Sequence, residues 1–403
     1  MNKSSNTPDA NRHSRREFLL GVASVPMVMC PSPAINRRTE FVGPVREGSA
    51  TCVQLRRAAI ARLSELQLVD PTISTPHSWS RLEKELALIE KLGLASDFQK
   101  AHEIVHETNS SGLRAFGRET EHSSLVAYGL GIVHVNPSAV GLTYEDFAHE
   151  LSQKRRVSLD VCWNHWERLV EGKPGLETIR LIPSDDLTAI SDIQTRVRQS
   201  ARAVSISSCL APLDDKQTFE MLSRGDTEGI RFLDQPQSQR ALSRLRPDCF
   251  QDLVGFAALE YGWFDTSALG RLISTKHTQS KYDWPSEVAE CLAHTYDQVL
   301  YHEQAFHIIQ ELLFCDYATA VQCWSELIDP PLENHAEVRR TLQESARRIG
   351  LDKLQAADLI KQLAGAAPES RSLKFSVNGA FLDFTLAYLK AHYPTQFGPA
   401  LNS

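Results

Sequence analysis

From Pro285 to His392 apolar residues recur at helical spacing almost without a break, the pattern that most narrows what this chain can fold into. Helices of that kind each bury one stripe against neighbours, so helix-on-helix packing must supply most of the core. The upstream half reads similarly. Residues 51–68 set Val53, Leu55, Ala58, Ala59, Ala61, Leu63 and Leu66 between arginines. Asp70-Pro71 to Pro76 is a breaker-rich linker. Leu82, Leu86, Ile89 and Leu92 then keep the helical interval, with Ser78 or Ser80 as the expected cap and Gly93 as the stop. Further helices are expected over 96–107 and 123–132, with a turn at Asn136-Pro137. Residues 212–262 read as helix-loop-helix, opened by Leu213-Asp214-Asp215 and punctuated by Pro236 and Pro247. Arg156 to Cys162 alternates weakly and is the best strand candidate of the first half. The fold class is mainly α with a small β component.

A hydrophobic fraction of 42% and a charged fraction of 23% suffice for a packed core and exclude a disordered, collagenous or polytopic membrane chain. A net charge of −7 argues against a wholesale nucleic-acid coat. It leaves room for a local basic groove from Arg155, Arg156, Arg196, Arg198, Arg202, Arg240, Arg244 and Arg246. The 8 cysteines form no CxxC pair and read as packed or free thiols, with a disulfide set as the alternative. His302 and His307 are five apart, not the four of a zincin helix, and no P-loop, G-x-G-x-x-G or G-x-S-x-G is present.

At the N-terminus, Ser14-Arg15-Arg16-Glu17-Phe18-Leu19-Leu20 leads an apolar run to Cys30 and a small-residue exit at Pro31-Ser32-Pro33-Ala34. It resembles a twin-arginine signal, which exports folded proteins. Residues 1–34 are accordingly expected to be a signal and 35–50 a linker. An exported or periplasmic protein follows if the signal works, a cytoplasmic one otherwise, with no membrane span after signal removal.

Several stretches together resemble one family, the α subunit of bacterial DNA polymerase III. They are Arg81-Leu82-Glu83-Lys84-Glu85-Leu86 through Asp97-Phe98, Gly117-Arg118 with Ser124 to Ile132, and Leu213-Asp214-Asp215 through Gly229. Phe250-Gln251-Asp252-Leu253-Val254, Thr295 to Gln304, and Ala387 to Pro394 continue in family order. The resemblance covers residues 51–403 and implies a partial C-family palm over 51–210 followed by a helical fingers domain over 211–403. The resemblance implies a chain short for that family, with the signal expected in place of the N-terminal phosphoesterase-like domain, and half the palm and the C-terminal modules expected to be absent.

Nucleotidyl transfer needs two metal ions about 4 Å apart, held by hard carboxylate oxygens. The resemblance implies Mg²⁺ and places the two strand acids at Ser158 and Asp160 and the third at Arg180. Asp160 is then the lone metal-binding and catalytic acid, which is insufficient for two ions, and an arginine repels Mg²⁺. Gly117 and Arg118 match the family's phosphate-gripping loop, whose next two residues, glycine and serine, are replaced by Glu119-Thr120. Arg118 has the surface ion pair as its plainer role, and Asp160 that of a solvated or capping residue. The expected function is a DNA polymerase III α-like protein without polymerase activity. DNA is the partner the resemblance implies, and it names no protein partner. The alternatives are a non-catalytic nucleic-acid binder and an exported helical interaction module.

Overall fold

The computed structural model describes residues 49–398 apart from 68–69, 71–72, 74, 173–177, 201–210, 261–265, 279–282, 329–334 and 368–370. The twin-arginine-like segment, the linker before Ser49, Cys30, Arg202 and Cys209 lie outside the described residues. Three helices come first: α1 (Ala50–Leu66), α2 (Pro76–Lys91) and α3 (Ala95–Ser110). Strand β1 (Ala115–Gly117), a 3₁₀ turn (Glu119–Ser123), α4 (Leu125–Gly129), a second 3₁₀ turn (Pro137–Val140) and α5 (Tyr144–Lys154) follow. Next come β2 (Val157–Cys162), α6 (Trp163–Gly172), β3 (Ile179–Ser184) and α7 (Asp185–Ser200). The remainder is helical: α8 (Lys216–Ser223), α9 (Pro236–Leu245), α10 (Phe250–Glu260), α11 (Thr266–Thr278) and α12 (Ser286–Cys291). It ends with α13 (His302–Leu313), α14 (Tyr317–Ile328), α15 (His335–Arg348), α16 (Lys353–Gly365), α17 (Leu373–His392) and α18 (Pro394–Phe397).

Local chemistry sets several boundaries. The cap of α2 is Thr75, not Ser78 or Ser80: its hydroxyl accepts the Ser78 N–H, and Pro76 fills the first helical position, where a missing N–H costs nothing. The helix expected over 123–132 shrinks to Leu125–Gly129, because Gly131 turns left-handed at φ 70°. Gly225 (φ 70°) ends α8 so close to α9 that an added Cβ would stand 2.5 Å from the Gln239 carbonyl oxygen.

Strand order is β1-β2-β3, with β1 antiparallel and β3 parallel to β2. Along β2 the side chains alternate between two cores. Val157, Leu159 and Val161 join Ala115, Ile179, Phe98, Phe147 and the inner faces of α1 to α5. Cys162 and Phe116 belong instead to a second core that includes α7 to α11 and α17. A third core, from Trp284 to Ala366, is built by α12 to α16. Long α17 returns to the sheet: Phe381 meets Phe116 edge-on at 5.4 Å, while Leu373, Val377, Phe384 and Leu389 bury into the second core. No described helix is long and apolar enough to cross a membrane. Among the described cysteines all are free thiols.

A polar tie joins α5 to α13 and α14. Thr143 and Asp146 form a capping box at the start of α5, and Tyr317 donates its hydroxyl to Asp146 Oδ1 at 2.7 Å. His307 Nε2 lies 3.3 Å from the same oxygen. Burial opposes a charge on either group, yet Asp146 lifts the His307 imidazole to about 9, and His307 with its neighbours lowers the Asp146 carboxyl to about 2. A raised histidine stabilises fully below its unfolded pKa near 6.5 and loses that contribution as pH climbs through about 9. The depressed aspartate loses its share only as pH falls through about 2. In urea titrations His307→Gln is therefore expected to cost about 1–2 kcal/mol at pH 6, and far less at pH 9.5. A cost independent of pH would refute the charged pair.

Candidate functional site

Three strands bring the sequence-derived residues into one place. Phe116 pairs with Asp160 and Gly117 with Leu159, and the Arg118 N–H donates to the Ser158 carbonyl at 3.0 Å. On the other side Ser158 pairs with Arg180 and Asp160 with Ile182. Residues opposite one another in a ladder project to the same face, and residues two apart along a strand share it. Arg118, Ser158 and Arg180 thus form one rung across the sheet, and Phe116, Asp160 and Ile182 the next. This is the polar face of β2, turned away from the apolar set Val157, Leu159 and Val161.

Asp160 is neither solvated nor a cap. It is 3% exposed in mid-strand, and Arg118 Nη1 contacts its Oδ1 at 2.7 Å. Asn378 of α17 approaches Oδ2 at 3.4 Å. Burial raises the Asp160 carboxyl above the ordinary range, with Arg118 and Asn378 pulling it back. Arg118 is correspondingly no surface pair: one end of its contact is buried.

From Asp160 the charges alternate outward. Arg118 Nε reaches Glu119 Oε1 at 3.4 Å, and Lys154 bridges Glu119 and Glu150. Lys374 pairs with Glu150 and lies 4.0 Å from Glu303. Glu303 in turn accepts the Ser372 hydroxyl at 3.0 Å and the Leu373 N–H at 2.8 Å, at the start of α17. Glu119 holds a left-handed backbone, φ 55°, the conformation that favours glycine and that costs other residues about 1 kcal/mol. Its ion pairs to Lys154 and Arg118 lower its carboxyl pKa despite burial.

Gly117 is buried, and a Cβ there would lie 2.7 Å from Glu121 and 2.8 Å from Ile132 and Val133. Its N–H is donated to the Ile132 carbonyl at 2.7 Å. Glu121 receives the Ser158 N–H at 3.1 Å, and burial pushes its carboxyl well above the ordinary range, which favours the neutral acid. Burial likewise lowers His122 to about 4 and His134 to about 3. Burial therefore works against charge on all three of these side chains behind the polar face.

These residues do not fit a pair of Mg²⁺ ions. The Asp160 oxygens already face a guanidinium and an amide, Ser158 supplies only a neutral hydroxyl, and Arg180 is a cation. Elsewhere among the described residues, Asp248, Cys249 and Asp252 bring ligand atoms within 4.8 Å of one another. That cluster already has its cation: Lys276 Nζ contacts Asp248 Oδ1 at 3.0 Å and also pairs with Asp252. Tyr296 donates to Asp252 at 2.7 Å, and burial pushes the Cys249 thiol up to about 12. His302 is a packing residue, 4.8 Å from the Trp324 ring.

Sequence reasoning missed Glu121, Glu150, Lys154, Asn378 and Asp186. Lys154 and Glu150 carry the one local signal, an i,i+4 pair. Asp186, at the start of α7, is paired with Arg231 at 3.3 Å and electrostatically coupled to Asp160.

Comparison with known proteins gives two family matches. Residues 54–162 match the family described as bacterial DNA polymerase III alpha NTPase domain, and residues 186–349 match its finger domain. The DNA polymerase III subunit alpha of Buchnera aphidicola is 28% identical over 234 residues, 55% of this chain and 19% of that protein. The subunits of Haemophilus influenzae (28% over 239 residues, 56% and 20%) and Escherichia coli K12 (28% over 201 residues, 47% and 17%) are similarly related. The chain thus spans about a fifth of the length of these relatives.

Proposed function

We propose that this chain, which belongs with the α subunits of bacterial DNA polymerase III, is a non-polymerising homologue that keeps the family's scaffold without its metal-dependent chemistry. The observation that carries the reading is the Arg118–Asp160 contact, a buried carboxylate whose counterion is a guanidinium of the same protein. Two-metal transfer needs ions bridging the attacking hydroxyl, the transferred phosphate and the leaving group. One engaged aspartate, flanked by Ser158 and Arg180 on the same face, supplies neither the oxygen count nor the negative charge for that.

The test is primer extension. Purified protein with a primed template, Mg²⁺ and all four dNTPs is expected to add no nucleotide above a no-enzyme control. Extension that disappears on Asp160→Ala would overturn the reading. Binding of nucleic acid without chemistry is the companion reading, favoured by the arginines exposed around the same face: Arg155, Arg156 and Arg180.

A further inference from the structure

Every acid around the polar face of β2 already has its own partner. Asp160 has Arg118, Glu119 has Lys154, Glu150 has Lys154 and Lys374, Asp186 has Arg231, and Asp185 accepts the Trp163 indole N–H at 2.8 Å. What remains is positive. Among the described residues neither the Arg180 guanidinium nor that of Arg156 is in an ion pair or hydrogen bond, and both are exposed. Arg155, also exposed, offers only its Nε to the Ser152 carbonyl, at 3.4 Å. Arg118 is 31% exposed on its side chain and retains donors beyond those used on Asp160 and Glu119. Between the two arginines of the rung, the Ser158 hydroxyl makes no hydrogen bond within the described chain.

We infer that the Arg118–Ser158–Arg180 rung, with Arg155 and Arg156 at its edge, receives a phosphate group directly, without a metal ion. The outer strands of the rung stand about 10 Å apart, so the exposed Arg180 and the partly exposed Arg118 flank the Ser158 position, itself only 6% exposed, from either side. Guanidinium forks suit such an anion: they offer paired donors in one plane and hold their charge at any working pH. The hydroxyl between them adds a neutral donor. A divalent cation meets the reverse of what it needs at this face, whereas a phosphate meets unpaired guanidinium groups, with the neighbouring acids engaged by ion pairs or, for Asp185, by a hydrogen bond. The ligand chemistry is shared by two sources, the diester of a nucleic-acid strand and the phosphates of a free nucleotide. This inference builds on the non-polymerising reading but is tested apart from it, in EDTA, where no extension can occur.

The experiment uses the full chain at low salt in EDTA, with fluorescence polarisation of a labelled primed DNA duplex and calorimetric titration of inorganic pyrophosphate and dATP. At least one probe is expected to bind without metal. Arg180→Asp should weaken that binding about tenfold or more and, for DNA, lower the salt slope by about one. Arg340→Asp, an equal charge change on an exposed position of α15, should leave it within about twofold of the parent. Arg180→Ala serves as a milder second variant, and circular dichroism checks that the exposed site tolerates both. Tight binding of pyrophosphate or dATP identifies the free-phosphate source, and binding of DNA alone identifies the strand. Absence of metal-free binding by every probe, a strict Mg²⁺ requirement, or equal losses in Arg180→Asp and Arg340→Asp would overturn the inference.

Discussion

Arg81→Met is expected to cost about 4–5 kcal/mol, enough to leave much of the protein unfolded or insoluble at 37 °C. Arg81 is 4% exposed on α2, and its guanidinium gathers a whole junction of the first core. Nε pairs with Glu85 Oε1 at 2.8 Å, one turn along. Nη1 donates to the Leu142 carbonyl at 2.6 Å and the Ser138 hydroxyl at 3.3 Å. Nη2 donates to the Ser123 and Thr143 carbonyls at 2.6 and 3.1 Å. Glu85, fully buried, uses its other oxygen on the Ser124 hydroxyl and the Val126 N–H, capping α4. Methionine keeps the apolar stem but strands a buried carboxylate and three carbonyls, each a cost on its own. Lysine restores the charge without the planar fork, so Arg81→Lys should fall between the two. The double variant Arg81→Met/Glu85→Leu should regain part of the loss, because removing both ions is cheaper than orphaning one. Urea midpoints for the four proteins decide it, and a loss under about 1 kcal/mol in Arg81→Met would refute the junction role.

Arg81 also shows where reading the sequence stops. It opens one of the stretches that resemble the polymerase family, but apart from Glu85, one turn on, its partners lie 42 to 62 positions away, and no local pattern announces those. Helices were legible because burial imposes a 3.6-residue period on them, as the leucines of α1 and α2 illustrate. Strand β2 was legible through its alternation. Strand β3 was not: Ile179-Arg180-Leu181-Ile182-Pro183-Ser184 carries a charge and a proline, tolerated because β3 pairs on one side only. β1, at 3 residues, is too short to show a period at all. At the site, the resemblance set Ser158, Asp160 and Arg180 together, and the strand register gives that grouping a physical basis in shared faces. The contacts that determine its chemistry were invisible beforehand. Arg118 reaches Asp160 across 42 positions and Asn378 reaches it across 218, distances over which only the folded backbone carries information.

For Arg118→Met the expected loss is about 2–3 kcal/mol at pH 7.5, less than for a fully buried pair because the Arg118 side chain is 31% exposed. The remaining carboxylate keeps only Asn378, at 3.4 Å, on a strand whose residues are all buried. Burial already raises the Asp160 pKa, and without the guanidinium nothing comparable opposes that rise. A carboxyl raised in the folded state penalises folding above its folded pKa, and the penalty fades as pH falls through that value toward the unfolded one near 4. The variant should therefore approach the parent's stability on acidification, and Arg118→Met/Asp160→Asn should recover most of the loss at every pH. Mg²⁺ discriminates between a bare hole and a latent metal site. With Ser158 neutral and Arg180 cationic on the same face, 10 mM Mg²⁺ has one carboxylate to bind and a fixed positive charge to overcome, so the urea midpoint of Arg118→Met should not move. A midpoint that rises with Mg²⁺ in Arg118→Met, but not in the double variant, would mean that the guanidinium covers a working cation site. The non-polymerising assignment would then have to be withdrawn.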